Sequence, residues 1–135
     1  MILVDSGYLI ALAKPRDSLR SRAEAWTAGL REPLVVTEFV LCETVDALSR
    51  PLDREKAHRL LEGIRATGQW QVIPVAPALV EAGLRLHASR PDKEWSLTDC
   101  ISFHVMGQLG IRRALAYDEH FEQAGFEALL RRDPS

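Results

Sequence analysis

Short apolar runs rich in Val, Ile and Leu alternate along this chain with longer stretches whose apolar residues recur every three or four positions. That alternation restricts the fold more than any other feature, because a short run bounded by turn residues reads as a buried strand and the longer spacing as a helix face. The pattern predicts strands over residues 2–4, 34–36, 72–75 and 114–117, with a fifth near 126–130. It predicts helices over 18–30, 37–48, 53–66, 77–88 and 97–109. Strands separated by helices pair in parallel, and a parallel sheet needs cover on both faces. The expectation is a three-layer α/β/α domain around a mainly parallel central sheet of four to five strands. Pro33 before the second strand, the Arg50-Pro51-Leu52-Asp53 break and Gly110 after the last long helix punctuate it as such a fold requires. At 135 residues, 47% of them apolar, the chain suits one domain over 1–135, with no repeat, linker or low-complexity tract.

In open α/β sheets, ligands bind outside the carboxyl ends of the strands. The first strand, in "MILVDSGYLI", runs straight into Asp5 there, and the fourth, in "ALAYDEHF", into Asp118. Glu43 lies in the helix after the second strand, in "VVTEFVLCETVDAL", and Asp99 near the start of the helix opening "WSLTDCISF". Four acids are thereby directed toward one sheet edge. Each also has an ordinary reading: Asp5 and Asp99 as helix-start acids, Glu43 as a solvated residue whose place Asp46 takes, Asp118 as a turn residue beside Glu119. Carboxylates about 5 Å apart repel by roughly 3 kcal/mol per pair at an effective dielectric near 20. Lys14, Lys56 and Lys93 all fall away from the strand ends, so the counter-charge must come from elsewhere. Mg²⁺ or Mn²⁺ fits, since both prefer oxygen ligands and accept phosphate as a further one. An acidic pocket holding such an ion suits phosphodiester hydrolysis.

The segments "ILVDSGYLIAL", "LCETVDAL", "LTDCISF" and "ALAYDEHFEQAGF" resemble, in that order and across nearly the whole chain, the four acidic blocks of PIN-domain ribonucleases. The likeness is greatest to the VapC-like toxins of type II toxin-antitoxin modules, small Mg²⁺-dependent endoribonucleases. Carried over by position, the resemblance implies that Asp5, Glu43, Asp99 and Asp118 bind metal and catalyse, with Ser6 and Thr98 as supporting hydroxyls. It implies an RNA substrate, a homodimer and a cognate antitoxin whose extended tail enters the acidic groove over Tyr8, Leu9, Leu12 and Phe39. Two small departures, Cys100 where Ala is common and Ser6-Gly7 where Thr-Ser or Ser-Ser is frequent, remove no acid. The alternative is a catalytically inactive metal-binding module of the same fold that grips RNA or a protein partner.

Lys plus Arg number 17 against 19 Asp plus Glu, a net charge of −2, so no global basic field announces a nucleic-acid binder. Local patches must serve instead, and Arg16, Arg20 and Arg22 are candidates for phosphate contact, as are Arg112 and Arg113. Cys42 and Cys100 lack disulfide or zinc spacing and read as core thiols in a reducing, cytoplasmic setting. The apolar start is too short for a signal peptide or membrane span. Trp26, Trp70 and Trp95 are expected in the core, with stacking on an RNA base the alternative for Trp95, and His120 is expected to pack or cap locally, with orienting a ligand as its alternative. A phospho-acceptor or phosphatase site on a similar sheet would also want a strand-end lysine, which is absent, as are glycine-rich phosphate and nicotinamide fingerprints.

Overall fold

The computed structural model describes all residues from Met1 to Ser135. The chain runs β1 (Ile2–Val4), α1 (Ser6–Ala13), α2 (Arg20–Gly29), β2 (Leu34–Thr37), α3 (Glu38–Ala47), α4 (Arg54–Ala66) and β3 (Trp70–Ile73). It continues through α5 (Pro77–Ser89), α6 (Leu97–Leu109), β4 (Arg113–Leu115), α7 (Glu119–Gln123) and β5 (Glu127–Ala128) to a 3₁₀ turn, Leu129–Arg131. The five strands form one sheet in the order β3-β2-β1-β4-β5, with every neighbouring pair parallel. No helix is long and apolar enough to cross a membrane.

β1 is central and buried on both faces, and its alternation sorts the core into two layers. Ile2 and Val4 join Tyr8, Leu9, Val40, Leu41 and Ile64 beneath α1–α4. Leu3 joins Val35, Cys100, Phe103, Met106 and Phe121 beneath α6 and α7. Each fully buried Leu or Ile contributes about 1.5–3 kcal/mol. The chain builds outward from β1 through β2 to β3, then returns to the other side of β1 as β4. The strand order therefore reverses between β1 and β4, and the carboxyl edge there is the crevice where such sheets take ligands.

Local chemistry sets the element ends. The Thr37 hydroxyl accepts from the Val40 amide at 3.2 Å, Ser96 and Asp99 form a reciprocal capping box, and Gly110 ends α6 with φ 68°. Gly83 lets α5 lie against α6: a Cβ there would meet Ile101 Cγ1 at 2.5 Å.

Several boundaries differ from the sequence expectation. β3 spans Trp70–Ile73 rather than 72–75, because it pairs with β2 from Leu34↔Trp70 to Thr37↔Ile73 and Pro74 has no amide to continue the ladder. β4 stops at Leu115, opposite the last residue of β1, which leaves Tyr117 exposed. The fifth strand is only two residues long before the 3₁₀ turn. Two helices, α1 and α7, lie outside the five that the periodicity predicts, although the helix-start reading of Asp5 allows a first turn at Ser6; α1 is apolar on nearly every side and packs among α2, α3 and α4, so it carries no periodic signal.

Candidate active site

Asp5 leaves β1 at the N-cap position of α1, yet its side chain makes no capping hydrogen bond. It is only 8% exposed. Its carboxyl is pushed up to about 7, first by burial, then by the charge of Asp99 and, more weakly, by Glu43 and Asp118, while the Ser6 backbone amide pulls the other way. All three other acids chosen from the sequence therefore act on Asp5, so the carboxyl edge does draw the four into one electrostatic unit. Asp5 and Asp118 also line a common cleft of about 480 Å³ with Leu19, Tyr117, Glu119 and Arg131.

The remaining acids are each held by a neighbour. The Ser6 hydroxyl donates to Glu43 Oε1 at 2.5 Å, tying the start of α1 to α3. Asp46, the other acid of that helix, is exposed and lines a separate cleft with Cys42, Val45 and Arg65. Asp99 Oδ2 accepts from the Ser96 amide at 3.2 Å and meets His120 Nδ1 at 3.0 Å. His120 Nδ1 also lies 3.3 Å from Asp118 Oδ1, which accepts from the His120 amide at 3.1 Å. The helix-start reading of Asp99 thus holds, and Asp118, read as a turn residue, caps the short helix α7.

His120 bridges two acids rather than merely packing or capping, which corrects the favoured sequence reading and sides with its alternative. The cause is aromatic packing. Phe103 stands one helical turn after Asp99 on α6 and packs edge-on against Phe121 with ring centroids 5.0 Å apart, so the residue before Phe121 arrives beside Asp99. Position two after Asp118 was the one available sequence signal.

A hard divalent cation suits this donor set in kind. All four side chains offer carboxylate oxygens, and the crowding that favours the protonated form of Asp5 is what a cation would relieve. No three acidic, His or Cys side chains converge into a ligand cage. Mg²⁺ needs none, being commonly held by one or two carboxylates with several waters.

Other expected residues are placed differently. Thr98 makes no side-chain hydrogen bond, since the cap beside it is built by Ser96 and Asp99. Arg20 pairs with Glu24 and the Leu12 carbonyl, and Arg22 with Asp133 and the Leu130 carbonyl, so both are engaged in holding α2. Arg16 instead joins Lys14, Arg50 and Lys56 around a cleft of about 710 Å³ at the tips of the α1–α2 and α3–α4 connections, where only Lys56 has an acidic partner, Asp53. Arg113 pairs with Glu32 at the opposite, amino edge of the sheet. Tyr8 and Leu9 are core residues rather than a groove lining, and Leu12 packs partly on the same core. Trp95 is buried as expected, edge-on to Phe103 at 5.1 Å, and Trp26 and Trp70 pack partly buried on the other layer. Cys100 is buried but Cys42 is exposed, turned about 100° along α3 from the buried Leu41.

A family model described as the PIN domain matches residues 2–127. The 23S rRNA-specific endonuclease VapC20 of Mycobacterium tuberculosis is 30% identical over 126 residues, 93% of this chain and 95% of that one, in both strain CDC 1551 / Oshkosh and strain H37Rv. The crystal structure of M. tuberculosis VapC20, described as a sarcin-ricin loop cleaving toxin, superposes with a TM-score of 0.86 at 28% identity over 93% of this chain and 96% of that one. FitAcB from Neisseria gonorrhoeae superposes with a TM-score of 0.69 at 18% identity over 95% of each chain, a likeness of fold alone.

Proposed function

The chain belongs to the PIN-domain family, and on that premise we propose that it is a Mg²⁺-dependent endoribonuclease acting as the toxin of a toxin-antitoxin pair. The observation that carries the reading is Asp5, a buried carboxylate at the strand-order reversal that three further acids crowd toward its protonated form. Asp5, Glu43, Asp99 and Asp118 are the residues that would hold Mg²⁺, with Mn²⁺ a chemically equivalent substitute. The ion supplies Lewis-acid stabilisation of charge building on the phosphate oxygens.

The chain's own residues do the positioning. Ser6 fixes one oxygen of Glu43, and His120 holds Asp99 and Asp118 at a set separation, so that the site's carboxylates are oriented before substrate arrives. Asp5 is shielded beneath them, in a setting that strengthens its interaction with any cation. Lys14, Arg16 and Arg50 give the RNA phosphates a local basic path that the net charge of −2 does not advertise. Ribosomal RNA is the proposed substrate class, from the activity that the name of the 30% identical relative gives. The proposed partners are a second copy of the chain, as a homodimer, and an antitoxin tail whose arginine pairs with the site acids.

A second reading, a PIN module that binds without cutting, draws on the engagement of Asp99 and Asp118 by His120 and on the absence of a three-ligand cage. One experiment separates the two. Ribosomes and purified 23S rRNA are incubated with the protein in Mg²⁺ or EDTA, and cleavage is mapped by primer extension. Cutting should require the metal and fall by at least a hundredfold in Asp5→Asn and Asp99→Asn, both with the parental circular dichroism spectrum. Parental rates in both variants would remove these acids from the site, and RNA retained uncut by the parent would favour the binding module.

A further inference from the structure

Tyr117 interrupts a buried run. Ala114, Leu115 and Ala116 before it are fully buried, yet Tyr117 is 45% exposed and lines the cleft that holds Asp5 and Asp118. Arg131, from the 3₁₀ turn, lies over that ring with its Cζ 4.9 Å from the centroid. The guanidinium is not free to wander. Its Nη1 donates to the Tyr117 carbonyl at 2.7 Å and its Nε pairs with Glu122 at 3.1 Å, so cation and ring are held as one unit. The Tyr117 hydroxyl makes no hydrogen bond.

We propose that the Tyr117–Arg131 pair is a nucleobase-binding site, which stacks one base of an RNA strand beside the acidic cluster. The proposal rests on the RNA reading above and adds where and how the strand is gripped. Charge argues for a base here rather than a phosphate. The cleft holds three acids, Asp5, Asp118 and Glu119, against the single cation Arg131, which Glu122 already offsets. With Glu122 offsetting it, Arg131 is no free phosphate anchor, whereas the face of a base meets an aromatic ring backed by a guanidinium. The cleft of about 480 Å³ falls within the range of ordinary small-ligand sites. Stacking tolerates any base, so Tyr117 anchors the strand and leaves sequence choice to other contacts.

The test uses fluorescence anisotropy of 5′-labelled octaadenylate, octauridylate and an abasic RNA octamer with the same phosphates, in Ca²⁺ to suppress cutting. The parent should bind octaadenylate about tenfold more tightly than the abasic octamer, the usual worth of one stacked base. Tyr117→Leu should bind the two alike, with abasic binding and melting temperature unchanged, whereas Tyr117→Phe should keep the difference. Arg131→Gln, which leaves the ring but removes the cation, should reduce it severalfold. A parent that binds all three octamers equally, or a Tyr117→Leu chain that keeps the tenfold ratio, overturns the base site while leaving the RNA reading standing. A parent that binds no octamer overturns both.

Discussion

At Asp5, burial and three neighbouring carboxylates all favour the protonated form, so a group that ionises at 3.8 in a model peptide does so at about 7 in the fold. The unfolded chain gives up this proton near pH 4, while the native chain keeps it until about pH 7, so between those values the native state binds more protons. The stability from protonated Asp5 is fully present below pH 4 and lost as pH rises through 7, a change on the order of 4 kcal/mol. In EDTA, urea denaturation of the parent should therefore show stability falling across that window. Asp5→Asn should flatten the fall and exceed the parent's stability at pH 8. Matching pH profiles for the two would mean that Asp5 is not crowded as described.

Gly83 poses a contest at the scale of elements. Alanine is the better helix former by about 1 kcal/mol, which alone would make Gly83→Ala stabilising. The new methyl would, however, meet Ile101 Cγ1 at 2.5 Å and Leu97 Cδ1 at 3.1 Å. The first is the inner branch of a stiff side chain, and overpacking of this kind costs about 1–3 kcal/mol. The variant should lose roughly 1 kcal/mol by chemical denaturation, whereas Gly63→Ala, with nothing within 4 Å, should gain stability. α6 also carries Asp99, so a shift of this helix pair should weaken RNA cleavage by Gly83→Ala beyond what its stability loss alone would do.

For the molecule as a whole, ligand binding to the folded state alone adds stability by mass action. Mg²⁺ at a hundred times its dissociation constant would contribute about 2.7 kcal/mol, or on the order of 10 °C in melting temperature for a chain of this size. Calorimetry in Mg²⁺ against EDTA should show that rise at pH 8, and a much smaller one in Asp5→Asn. Equal transitions with and without the ion would mean that the four acids share no cation. Expression of the chain alone should arrest growth in an Asp5-dependent way, and harmless expression would count against the toxin reading.

The alternation of strands and helices was legible because it is local: periodicity is written in residues three or four apart, and Gly110 ends α6 through its own backbone chemistry, whereas the expected third strand ran through Pro74, where β3 has already ended. Asp5 and Asp118 were legible as edge residues for the same reason, each following its strand by at most a few positions. α1 was not, since a helix covered by α2, α3 and α4 needs no polar face, and its uniform apolarity hides the period. Contacts between distant residues were set by packing alone. Arg22 reaches Asp133 across 111 positions, and His120 reaches Asp99 because Phe121 seats against Phe103. Tyr117 looked like the end of a strand until β1 ran out of residues to pair with it, and that accident of strand length is what turns its ring outward beside the acids.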